Sequence, residues 1–176
     1  SEVGRGISFR SDSQIVATGD QDGTITLRDV KNPRSLSQPL RGRNSEVLSL
    51  AFSRGGQRLA AGGQDGAVIL YALDTTSRIG HTLVDYRSSM INWALSPNGK
   101  TIAVSAIKNE IYLVDSISGK PAGQPLAGNS DIIYGLAFHP NKPVLASATT
   151  DYATIRVRLW DLERFTPGKA LTSTNY

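Results

Sequence analysis

The chain has 176 residues, a formal net charge of +4 and no cysteine. That length suits one domain, and the missing thiols exclude a disulfide framework or a thiolate metal site. No apolar stretch approaches the roughly 20 residues of a membrane-spanning helix, and 17 glycines with 8 prolines favour short strands and tight turns. Nineteen basic and fifteen acidic residues are interleaved, and Arg41, Arg43, Arg54 and Arg58 come nearest to a basic cluster. This pattern predicts a solvated, mildly basic surface, because a phosphate-binding footprint needs a concentrated patch with interleaved aromatics.

In chain order, the first segment reads "SFRSDSQIVATG", followed by "QDG" and the alternating run "TITLRD". The same sentence returns as "AFSRGGQRLAAG", "ALSPNGKTIAVS" and "AFHPNKPVLASA". Phe9, Phe52, Leu95 and Phe138 head these segments at a constant spacing of 43 residues. A fixed period in this range marks a repeat architecture, with units of about 4–46, 47–89, 90–132 and 133–176 making one domain over 1–176. The second unit shows the plan. "LSLAF" (48–52) is a first strand, Arg58–Gly62 a second, "AVILYAL" (67–73) a third, and His81–Val84 a fourth. Asp22-Gly23 and Asp65-Gly66 predict two-residue hairpin turns, because glycine adopts the positive φ such turns require. Every unit is expected to be a four-stranded sheet, which buries its faces only by stacking on neighbours. The fourth unit carries three extra residues around Tyr152–Arg158, which predicts a longer hairpin there.

The fourth unit ends "TIRVRLWDL", with Trp160-Asp161, and "SPNGKTIAVS" and "QDGTITLRD" recur in related forms. Period, turn chemistry and strand alternation together resemble the WD-repeat family of β-propellers. The resemblance implies an all-β propeller with four four-stranded blades in this chain, as half of a larger or dimeric ring. Its Trp position is filled by Arg28, Tyr71, Val114 and Trp160, and the next by Asp29, Ala72, Asp115 and Asp161. In the family a loop His bonds the hairpin Asp and is linked through Ser/Thr to the Trp. Here the His positions hold Arg43, Tyr86 and Asn129. The hairpin Asp persists as Asp22, Asp65 and Asp151 but is Lys108 in the third unit, and the Ser/Thr persists as Thr18 and Ser147. The network is therefore expected to be incomplete in every unit, with the surviving Asp residues bonding loop amides.

The resemblance also implies a protein-interaction scaffold without catalysis, with partners bound on one end of the ring. Family contact positions fall on Val3, Arg5 and Gln21, then Glu46, Leu48 and Gln64. In the second half they fall on Ser89, Ile91 and Ile107, then Ile132, Tyr134 and Thr150. Ile91, Ile107, Ile132 and Tyr134 form the more apolar group, and exposed apolar side chains are the more informative kind.

No catalytic, metal or cofactor constellation is legible. His81 and His139 lie far apart and read as surface residues; Asp20 and Asp22 read as a hairpin turn and not a calcium loop, which packs several oxygens into one segment. Trp93 and Trp160 read as sheet-packing residues. Nucleic-acid binding through the basic surface is the alternative function. No leader-like segment opens the sequence, and an intracellular, cytoplasmic location is expected. Bulky first-strand residues such as Leu48, Leu50, Ile91, Trp93, Ile133 and Leu136 argue against four blades closing alone. A homodimer, or association with missing propeller blades, is expected.

Overall fold

The structure is a computed structural model, and it describes residues 6–32, 39–42, 44–73, 80–85, 92–105, 109–129, 131–150, 154–163 and 174–175. These form antiparallel sheets with no helix among the described residues, in two compact units, Ser1–Met90 and Ile91–Tyr176.

The first unit holds two sheets. One has the order β1 (Gly6–Phe9), β2 (Ile15–Gly19), β3 (Thr24–Asp29), β4 (Leu40–Arg41). The other has β5 (Val47–Phe52), β6 (Arg58–Gly63), β7 (Ala67–Ala72), β8 (Gly80–Asp85). The strands of the second repeat thus lie where the alternation places them. Strands consecutive in sequence are neighbours in each sheet, the usual arrangement of such connections. Between the two sheets of this unit, Ala17, Ile25 and Leu27 pack with Leu50, Leu59 and Tyr71 in one buried cluster.

The second unit repeats this arrangement with β9 (Trp93–Leu95), β10 (Thr101–Ser105) and β11 (Ile111–Asp115) in one sheet. Its other sheet has β12 (Ile132–Phe138), β13 (Val144–Thr150), β14 (Ile155–Asp161) and β15 (Thr174–Asn175). Ala103, Ile111 and Leu113 pack with Ile133, Leu145 and Trp160. The β9–β11 sheet lacks the expected fourth strand. Two isolated bridges, Ile111 to Leu126 and Val114 to Pro121, stand in its place. The segment is "KPAGQPLAG", and a proline has no N–H to donate to a ladder. The backbone still saturates partly, with Leu126 N donating to Ile111 C=O at 2.8 Å and Ala122 N to Leu113 C=O at 2.8 Å.

The Asp-Gly turns differ from the two-residue form expected. Asp20 N donates to Thr24 C=O at 2.9 Å and Gly23 N to Asp20 C=O at 3.3 Å. Gln21, Asp22 and Gly23 therefore form a three-residue loop, a turn followed by one left-handed residue. Gly66 N likewise donates to Gly63 C=O at 3.1 Å. Gly23 and Gly66 supply that residue, with φ of 84° and 77°. The aspartates stabilise the loop: Asp22 accepts from Thr24 N and Thr24 Oγ1, both at 2.9 Å. Those bonds, the backbone one first, hold its carboxyl below the usual range. Gly66→Val should destabilise by about 1–3 kcal/mol, since a β-branched residue is strained at that φ. Denaturant titration checks this; an unchanged midpoint would show that the turn has another conformation.

Candidate functional site

The expected contact positions are placed by the first strand of each repeat and by the hairpin opposite it. In the first unit, Gln64 N donates to Glu46 C=O at 2.9 Å, which brings those two positions to one corner. Leu48 sits beside them at a register shift between Val47 and Ser49. It is half-buried, as is Glu46, while Gln64 is exposed. In the second unit, Tyr134 occupies the same bulge, between Ile133 and Gly135. A bulge carries one residue more than its partner strand and re-aims a side chain. Tyr134 is 44% exposed and Ile132 is 49% exposed.

Ile132 pairs with Thr150, and Thr150 pairs with Ile155, so these three cross the sheet on one face. Ile155, 77% exposed, was not among the sequence candidates. It lies in the inserted stretch, where the repeat register offers no equivalent position. The insertion lengthens both arms of the hairpin, since β13 and β14 pair over seven residues and β6 and β7 over five. Beside this strip Arg156 Nη1 meets Asp131 Oδ2 at 2.7 Å. The result is a small apolar edge with a charged rim, the surface chemistry of a protein contact. Arg5, Ile91, Ile107 and Asp151, with Val3 and Ser89, lie outside the described residues.

Beneath this edge, the side chains form a relay. Trp160 Nε1 donates to Ser147 Oγ at 3.0 Å, and Ser147 Oγ donates to Asn129 Oδ1 at 3.2 Å. Asn129 Nδ2 then donates to Asn109 C=O at 3.1 Å. The tryptophan, serine and loop positions of the expected network are therefore joined here, while its hairpin Asp151 lies outside the described residues. Asn129 stands in the His position, and its amide oxygen accepts while its amide nitrogen donates, as an imidazole can. Asp161, next in sequence to the tryptophan, accepts from Glu163 N at 3.0 Å and caps the turn that follows β14. Asp29 does the same for Lys31 N at 2.7 Å, and Asp115 for Ser118 N at 2.7 Å. The Asp of the repeat motif is a turn-capping residue in these three sheets.

The model of the WD domain, G-beta repeat, matches residues 2–29, 34–71 and 119–161, more than half of the chain. The chain belongs to the WD-repeat family. Among solved structures it resembles the β-propeller domain of Cps50 (Swd1) from Myceliophteria thermophila, with a TM-score of 0.72 and 17% identity. That alignment covers 89% of this chain and 53% of the other, so the chain spans about half the length of that propeller. At this identity the likeness shows the fold alone. No curated relative matches the chain. Its strands β9 to β11 fall between the matched stretches.

Elsewhere the WD repeats of this chain depart in ways the structure explains. His139 caps its own turn, with Nδ1 accepting from Asn141 N and Lys142 N, both at 3.0 Å. His81 lies exposed on β8. Among the described residues no group of His, Asp and Glu is arranged to hold a metal ion. Tyr71, in the Trp position of the second repeat, is fully buried, and that burial pushes its phenol up to about 12. The sign follows from linkage. Below about pH 10 the phenol is neutral in both states and its contribution is complete. Above that the unfolded chain ionises first, so stability falls until the folded pKa is reached. Between pH 10 and 12 the folding constant should drop by up to about tenfold per pH unit. Tyr71→Phe should remove that share of the alkaline loss in a pH series of denaturant titrations; an identical series would refute it.

Proposed function

We propose that this chain is a non-catalytic WD-repeat scaffold that binds a protein partner at the edge formed by Ile132, Tyr134, Thr150 and Ile155. The observation that carries the reading is Tyr134, an aromatic residue on a bulge, half-exposed beside two exposed isoleucines. Aromatic anchors set among apolar neighbours supply most of the energy in protein interfaces. The WD-repeat fold supports a scaffold role, and Glu46, Leu48 and Gln64 form the corresponding edge of the second repeat. Repeat register gives Ile91, Ile107 and Arg5 the equivalent positions of their own repeats. Nucleic-acid binding is the lesser reading, since basic and acidic residues are interleaved along the chain and the arginines form no long run. Salt decides between them. A phosphate contact weakens steeply between about 50 and 200 mM salt, whereas an apolar protein contact does not. Binding of the captured partner should survive that titration, and a steep salt slope would favour the nucleic-acid reading.

Open sheet faces, one of them bordered by Ile155 of the partner edge, support association with further blades. In the first unit β1 exposes Ile7 and Phe9 at 65% and 60%. In the second unit Val157 is exposed across from Ala148 on the face that Ile155 shares. Each two-sheet cluster shows how such faces are covered in this family, by the neighbouring sheet. A second copy of the chain carries both kinds of face, and the isolated chain is expected to self-associate through them. Light scattering should show a dimer or larger species, and Phe9→Asp should shift it toward monomer. A monomer over a wide concentration range, unfolding cooperatively, would overturn this.

A further inference from the structure

The relay beneath β12–β14 has a counterpart in the second repeat, and it is filled differently. Two repeat periods before Ser147 stands Ala61, and Tyr71 is the equivalent of Trp160 once the three-residue insertion is allowed for. Register confirms the equivalence, since Leu59 pairs with Tyr71 as Leu145 pairs with Trp160. Ala61 therefore offers a methyl group where Ser147 offers a hydroxyl. The Tyr71 hydroxyl is buried and has no hydrogen-bond partner among the described residues. A buried donor left this way carries a desolvation penalty, which native structures rarely leave standing.

Beside that hydroxyl lies a small cavity whose walls include the apolar Ile25, Val47 and Ile69 and the polar Tyr71, Ser45 and Asp65. Its volume is about 20 Å³, counted as the space open to the centre of a water-sized sphere. One water needs about 10–15 Å³ on that measure, while organic ligands occupy pockets of roughly 300 Å³ or more. Gly42 keeps the space open. A methyl group there would stand 3.1 Å from Tyr71 Oη and 3.0 Å from the Gly23 carbonyl oxygen. Polar groups border it as well. Ser45 Oγ accepts from Asp65 N at 3.1 Å, which leaves its own proton to donate. Asp65 Oδ1 accepts from Ala67 N at 3.2 Å, and its carboxylate is part of the same lining.

We propose that this cavity is a binding site for one structural water, which replaces the missing serine hydroxyl and links the Tyr71 hydroxyl to Ser45 and Asp65. The site is part of the blade and not of the partner edge. Its solvent molecule does for the second repeat what Ser147 does for the fourth: it joins the large third-strand side chain to the loop before the first strand. The walls are largely apolar, and it is the Tyr71, Ser45 and Asp65 groups at their edge, with room for a single molecule, that separate the site from a packing void without polar partners, which stays dry.

The test uses the full chain. A high-resolution crystal structure should show a water within hydrogen-bond distance of both Tyr71 Oη and Ser45 Oγ. Tyr71→Phe preserves the ring and its packing, so it should fold. It should lower the folding constant by about fivefold, because the water and its remaining partners lose one hydrogen bond. A cavity without density at Tyr71 Oη overturns the proposal. So does a Tyr71→Phe variant as stable as the parent or more stable, the result expected of a hydroxyl buried dry.

Discussion

Trp160→Ala should destabilise the second unit by about 3–5 kcal/mol, the range for deleting a fully buried large aromatic. Trp160 is 0% exposed and packs with Leu113, Leu126, Ile133 and Leu145. Its indole N–H is bonded to Ser147, which is itself buried at 1% exposure. The Arg158 guanidinium lies over the ring, 5.5 Å from its centroid, and adds a cation–π contact. The substitution thus leaves a cavity, takes a donor from a buried hydroxyl and removes the floor under Arg158. Typical domains are stable by only about 5–15 kcal/mol, so the loss is a large share of the whole. Denaturant titration at constant m-value is the measurement. Trp160→Phe should cost less, because it keeps most of the buried area and loses chiefly the hydrogen bond to Ser147. A Trp160→Ala midpoint near that of the parent would mean that this side chain is not the keystone of the cluster.

Tyr134→Ala should weaken partner binding by about 2 kcal/mol or more, roughly a thirtyfold loss of affinity, and leave the thermal midpoint nearly unchanged. The two readouts separate function from folding. Tyr134 is 44% exposed and sits at a strand irregularity, so removing its ring opens little core. Trp160 has the opposite profile, and its loss should abolish binding only by unfolding the unit that presents the edge. Isothermal titration with the captured partner and a thermal scan on the same preparation distinguish the cases. If the thermal midpoint collapses, Tyr134 is a core residue and the interface lies elsewhere.

Much of the fold is legible in the residues themselves. The 43-residue spacing of Phe9, Phe52, Leu95 and Phe138 marks four units, and each heads or ends a strand in the structure. Alternation places β5 to β8 within a residue or two of their observed bounds. Asp-Gly pairs mark hairpins because a left-handed residue following a tight turn is a property of three or four consecutive positions. The proposed contact edge is legible in part. Ile132 and Tyr134 were marked by repeat register, whereas Ile155 fell in the insertion that register cannot number.

Three features were decided by tertiary structure. Asn129 serves in the place of a histidine because the loop before β12 brings its amide to Ser147, 18 residues away. The β9–β11 sheet stops at three strands because two prolines spoil the ladder that the repeat pattern asks for. The buried Tyr71 hydroxyl has no partner among the described residues because Ala61, ten residues earlier and on the adjacent strand, lacks the hydroxyl that would meet it. The division has one physical cause. Strand alternation and turn geometry depend on local φ and ψ, which a few neighbouring residues dictate. The partner of a buried polar group depends on which distant residue the sheet register sets opposite it, and this appears only when the sheets have packed.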